Sequence, residues 1–194
     1  MSPLGRPWSR PGTLIIIPVI LQPLKSLTSY PNMPIQYILQ IETATQVCSV
    51  ALSANGETVA FQDIDEPNVH AAQLTLMVDE LLRASGLSFK DLAAIAVGKG
   101  PGSYTGLRIG ISTAKGFCYA TDLPLIGVDT LVGMAAGFIA NHSPIAANTQ
   151  LCPMVDARRM EVFAAVYDGQ LQPVVPPAAK IIDAQSFEHL NVGQ

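Results

Sequence analysis

The sequence predicts an α/β fold, a mixed sheet with helices packed on it, and three observations carry that prediction. Alternating apolar segments at Tyr37–Thr43 and Val47–Ser53 are followed by Asn55-Gly56, a strong hairpin signal, and a third strand, Glu57–Asp63. At His70 the apolar period lengthens from two residues to 3.6 and holds as far as Gly86. Beyond it, two short apolar strands, within Leu92–Gly100 and Leu123–Val128, each precede another helical pattern. Three antiparallel strands followed by helix, strand, helix, strand and helix give a mixed sheet covered by helices.

Each element has its own signal. Gly86 stands where a helix ends on a left-handed residue, so the first helix runs from His70 to that glycine. Its core-facing stripe is Leu74, Met77, Val78, Leu81 and Leu82, and Ala71, Ala72 and Leu76 widen the apolar arc. The second helix follows a glycine run and reaches about Tyr119. The third begins at Asp129 or Thr130. After Pro144 the opening pattern returns: "LQIETATQVCSVALSANG" lies on "CPMVDARRMEVFAAVYDG", with Glu42 over Asp156 and Val50-Ala51-Leu52 over Ala164-Ala165-Val166. The expectation is a duplicated fold, with one unit at 33–143 and a second, incomplete unit at 144–194. Strand edges left uncovered in an incomplete second unit would make the chain only partly stable.

The run "GKGPGSYTGLRIG", Gly98 to Gly110, holds five glycines in thirteen residues. Glycine before a helix can cradle phosphate. The run nevertheless fits neither the phosphate-loop pattern nor the dinucleotide fingerprint, in which Ser103 stands where glycine is required. Gly102, Gly106, Gly110 and Ala114 recur every four residues, along one helix stripe. Each interior glycine costs a helix about 1 kcal/mol against alanine. Close approach of another backbone would offset that cost. Ser103 and Thr105 read as helix-capping residues, because no histidine or lysine is spaced to activate them.

Composition excludes several classes. Of 194 residues 49% are hydrophobic and 13% charged, so a large core is available and disorder is not the reading. From Met33 onward eight basic side chains meet fifteen acidic ones, a balance of −7 that makes a poor stand-alone nucleic-acid binder. Cys48, Cys118 and Cys152 are odd in number and lie in apolar surroundings, as reduced thiols of a cytoplasmic protein do. Residues 1–32 hold six prolines and no acid. Their apolar run "LIIIPVILQPL" is too short and too broken to span a bilayer, and no small-x-small cleavage site follows it. The segment reads as a disordered extension, or as translated sequence upstream of a start at Met33.

The segments "ILQIETATQVCSVAL", "HAAQL…VDELL", "IAVGKGPGSYTGLRIGISTAKG", "PLIGVDTL" and "MVDARRMEVFAAVYD" resemble, in order, the TsaB (YeaZ) family. The resemblance covers about Pro34 to Leu190. It implies the actin/Hsp70/sugar-kinase superfold and a non-catalytic subunit of the machinery that makes N6-threonylcarbamoyladenosine in tRNA beside the anticodon. The implied partners are a TsaD-type catalytic subunit, a TsaE-type ATPase reached through the complex, and a second copy of the chain. Direct strong tRNA binding, membrane attachment and a cofactor are not implied.

Family members associate through their first two helices, so the resemblance points to an interface on residues 70–85 and 103–119. Its candidate residues are Ala71, Leu74, Met77, Val78, Leu81, Gly106, Gly110 and Ala114. The alternative for the glycine stripe is packing within the subunit.

The rival function is an enzyme, either an ATP-binding kinase or ATPase of the superfold or a glycoprotease-like peptidase. In active superfold members the turn at "ETATQ" approaches phosphate and carries a glycine, whereas here no glycine follows Glu42 before Gly56. The related catalytic subunit holds metal with two histidines four residues apart. Here the residue four after His70 is Leu74, which leaves His70 as a helix-start or surface histidine.

Overall fold

Two sheets organise the chain, and the local signals decide where each strand begins. The computed structural model describes residues 35–66, 69–183 and 185–186. The expectations for residues 1–32 and for the last residues of the chain lie outside that range. Strands β1 (Tyr37–Glu42), β2 (Val47–Ala54) and β3 (Glu57–Asp65) form an antiparallel meander. Its Asn55-Gly56 turn has φ of 50° and 86°, the left-handed pair that fits the twist of a two-residue hairpin. Helix α1 (His70–Ala84) and a 3-10 turn at Phe89–Asp91 lead to β4 (Leu92–Gly98). Helix α2 (Tyr104–Thr121), β5 (Leu125–Val128) and helix α3 (Thr130–His142) follow. The sheet order is β3-β2-β1-β4-β5, with β4 parallel to both β1 and β5.

Helix ends follow their caps. Gly86, at φ 68°, closes α1 with two bonds: its N–H donates to Arg83 O, and the N–H of Leu87 donates to Leu82 O at 3.0 Å. Ser103 caps α2, its Oγ accepting from the N–H of Gly106 at 3.2 Å. Both glycine-bearing ends therefore form where the sequence places them.

Helices α1 and α2 lie side by side on one face of the first sheet, α1 over β2 and β3, α2 over β4 and β1. Leu39, Ile41, Val50, Leu52, Leu74, Met77, Val78, Ile95 and Ala114 form one core there. Fully burying a side chain of this size contributes about 1.5–3 kcal/mol, which makes this layer the main source of cohesion. On the opposite face Ile38 packs with Ala94 and Ala96.

The second sheet is built from β6 (Gln150–Leu151), β7 (Met154–Arg158), β8 (Glu161–Asp168) and β9 (Pro173–Ile181). Strand β8 is its centre, flanked antiparallel by β7 and β9, so β7, β8 and β9 run as a meander like β1, β2 and β3. Helix α3 packs on this sheet, with Leu131 and Ala135 against Leu151, Val155, Ala165 and Tyr167. An element that the sequence reading assigned to the first unit thus buries its apolar face on the second sheet.

Candidate functional site

The site grows from one turn, Glu42 to Gln46, between β1 and β2. Glu42 is the last residue of β1 and only 3% exposed. Its Oε1 accepts from the N–H of Thr43 at 2.8 Å and from the N–H of Ala44 at 2.7 Å. Its Oε2 is buried and makes no hydrogen bond. Burial pushes the carboxyl above its ordinary range, and the N–H groups of Ala44 and Thr43 pull partly the other way. Room for the side chain comes from Gly98 at the end of β4, where an added Cβ would stand 2.6 Å from Glu42 Cδ.

The far side of the same turn meets α2. The N–H of Ser103 donates to Ala44 O at 2.7 Å. A Cβ on Gly102 would stand 2.7 Å from Ala44 Cβ, and one on Gly106 would fall on the carbonyl of Thr43. One on Gly110 would meet the Thr43 hydroxyl, with Cγ2 at 3.2 Å. The close backbone approach that the glycine spacing calls for is therefore to Thr43 and Ala44, within the chain. His70 closes the turn from the α1 side: it is buried, and its Nε2 lies 3.1 Å from Thr45 O. It is a helix-start histidine but not a surface one.

Of the eight candidate interface residues, Ala71 alone is exposed. Leu74, Met77, Val78, Leu81 and Ala114 are buried in the core, and Gly106 and Gly110 are buried against the turn. The reason is geometric. The sheet face beneath the helices must be covered, and the apolar and small-residue stripes are what the helices have to cover it with. The outer faces carry different side chains: Ala72 and Leu76 on α1, and Tyr104, Arg108 and Tyr119 on α2. Leu76 is 54% exposed and Tyr119 93%. Arg108 lies over the ring of Tyr104, 5.3 Å from its centroid.

Sequence reading missed several buried polar side chains. Gln40, Thr43 and Thr130 join Glu42 as buried polar residues whose side chains carry atoms with no hydrogen-bond partner. A lone polar residue in an apolar strand pattern was the available signal. Asp156, which the sequence lays over Glu42, lies within β7 and is exposed, its Oδ1 accepting from the N–H of Arg158 at 2.7 Å. The three thiols are free, and burial pushes Cys48 up to about 11. Among the described residues no cluster of three His, Cys, Asp or Glu is placed to hold a metal ion, and no helix is long and apolar enough to cross a membrane.

A mixed sheet of this order, with helices packed on it and the α2 glycine stripe seated on the first turn, defines an α/β domain. A family model described as "TsaD: tRNA N6-adenosine threonylcarbamoyltransferase" matches residues 67–184. The chain belongs to that family, and within it to the TsaB (YeaZ) proteins. It is 42% identical over 130 residues to the tRNA threonylcarbamoyladenosine biosynthesis protein TsaB of Escherichia coli (strain K12), covering 67% of this chain and 54% of that one. The TsaB of Haemophilus influenzae is 36% identical over 126 residues, 65% of this chain and 51% of that protein. The solved structure of YeaZ from Pseudomonas aeruginosa superposes with a TM-score of 0.67 at 29% identity, covering 77% of this chain and 69% of that one. The chain spans about half the length of the curated relatives it matches.

Proposed function

We propose that this chain is a non-catalytic scaffold subunit that binds and activates a TsaD-type transferase making N6-threonylcarbamoyladenosine in tRNA. The observation that carries this reading is the pair of neighbouring helices α1 and α2, whose outer faces expose Leu76 and Tyr119 beside Ala71 and Ala72. Exposed apolar groups on adjacent helices are what a helical partner surface buries. The interface thus lies on these outer residues, not on the inward stripes. Two further features favour an accessory role: His70 is engaged with Thr45 O, and Leu74, not a histidine, stands four residues on. A homodimer would use the same face when the catalytic subunit is absent. A TsaE-type ATPase joins through the complex, tRNA is held by the assembly, and the location is cytoplasmic.

The test is reconstitution with the catalytic subunit. The chain should co-elute with it and raise its modification rate, and have no threonylcarbamoyl transfer activity alone. Leu76→Asp should cut affinity at least tenfold with an unchanged melting temperature, since Leu76 is more than half exposed. Transfer by the chain alone, or undiminished binding by the folded variant, would sink the reading.

A further inference from the structure

We propose, in a step that rests on the scaffold reading, that the outer stripe of α2 selects the chain's partner by charge. It takes a carboxylate-bearing helix of the catalytic subunit in preference to a second copy of this chain. Tyr104, Arg108, Lys115 and Tyr119 are all exposed. Their places along α2 put them within an arc of about 60°, on the side of the helix away from the glycine stripe. Two rings thus bracket two cations along about 22 Å of helix.

The cations have no partner within the chain. Helix α2 holds no Asp or Glu from Tyr104 to Thr121. Among the described residues no carboxylate lies within ion-pair distance of Arg108 or Lys115. Arg108 is also set in advance. Its Nη1 donates to Tyr104 Oη at 3.3 Å while the guanidinium lies over the ring, so less side-chain freedom remains to be lost on binding. A planar guanidinium presented in this way matches a carboxylate, which accepts two parallel N–H bonds from it. A second copy is a poor source of carboxylates: on α1, Asp79 is paired with Arg83 at 3.0 Å and Glu80 accepts from Gln62 Nε2 at 3.2 Å. Single-stranded RNA fits less well too, because Arg108 covers a face of Tyr104 on which a base would stack. The occupant that fits is a helix with carboxylates about two turns apart, opposite Arg108 and Lys115.

The experiment measures affinity for the TsaD-type subunit by calorimetry at low and high sodium chloride. It compares the parent chain, Leu76→Asp and the double variants Arg108→Glu/Lys115→Glu and Arg108→Gln/Lys115→Gln. Self-association by sedimentation and binding of a short single-stranded RNA are followed alongside. The parent's affinity should fall as salt rises. The charge-reversed variant should keep the parent's melting temperature, bind at least tenfold more weakly and lose that salt dependence. The glutamine variant should lose the salt dependence with a smaller loss of affinity, and it decides the matter if the reversed one does not fold. Self-association should weaken less than binding of the subunit. Undiminished, salt-sensitive binding by a folded charge variant overturns the proposal, and if Leu76→Asp still weakens binding the scaffold reading stands without it. A parent chain that does not bind the subunit overturns both. Self-association that falls more than subunit binding makes a second copy the occupant, and RNA binding that the charge variants abolish makes it nucleic acid; either result overturns the proposal.

Discussion

Thr43 and Gly110 share one space: the Thr43 side chain stands where a Cβ on Gly110 would go, with Cγ2 3.2 Å and Cβ 3.3 Å from that point. These residues are 67 positions apart in sequence, and their contact locks α2 to the first turn of the sheet. The glycine-stripe spacing is the helical half of this contact, and the turn is the other half.

Gly110→Ala should therefore lower stability by about 1–3 kcal/mol, and Gly110→Leu should prevent folding, because the neighbour is a side chain fixed on a turn. Thr43→Ala in the Gly110→Ala background should recover part of the loss, since Oγ1 and Cγ2 are the atoms in the way. Urea melts of the two single variants and the double measure this as a coupling of about 0.5–3 kcal/mol. Strict additivity would show that the two positions do not meet.

Glu42 gives the chain a pH dependence whose sign follows from burial. Its folded carboxyl titrates above the ordinary 4.5, so from there up to the folded value the folded chain holds more protons than the unfolded one. Stability from this group is intact below pH 4.5 and declines as pH rises through that window. Glu42→Gln keeps the shape without the titration. The difference between parent and variant, followed by urea midpoint from pH 4 to 8, should tilt toward the variant as pH rises. A pH-independent difference would show that the carboxyl titrates in the folded chain where it does in the unfolded one.

Cys48 should be the last thiol to react. It is buried in the core under α1, and its thiol is pushed up to about 11 by burial. Cys118 and Cys152 are raised for the same reason but are partly exposed. A disulfide reagent at pH 8 should label Cys118 and Cys152 in the native chain and reach Cys48 only on unfolding. Native labelling of Cys48 at the rate of the other two would mean that the layer between α1 and the sheet opens readily.

The sequence by itself determined what depends on a few neighbouring residues. The left-handed pair Asn55-Gly56, the stop at Gly86, the Ser103 cap and the change of period at His70 all rest on backbone sterics and hydrogen bonds within one turn. The element order was legible for that reason. So was the need for some backbone to lie against Gly106 and Gly110. Which backbone it is was not legible, because helical spacing gives a stripe and no direction for it. That was decided when the parallel pairing of β1 with β4 brought Thr43 and Ala44 beneath α2, and Gly98 beside Glu42. The same pairing turned Leu74, Met77, Val78 and Leu81 toward the sheet, leaving Leu76 and Ala72 on the outside. Burial is a property of contacts between segments far apart in the chain, so the inner and outer faces of these helices, and the buried carboxyl at their feet, belong to the tertiary structure alone.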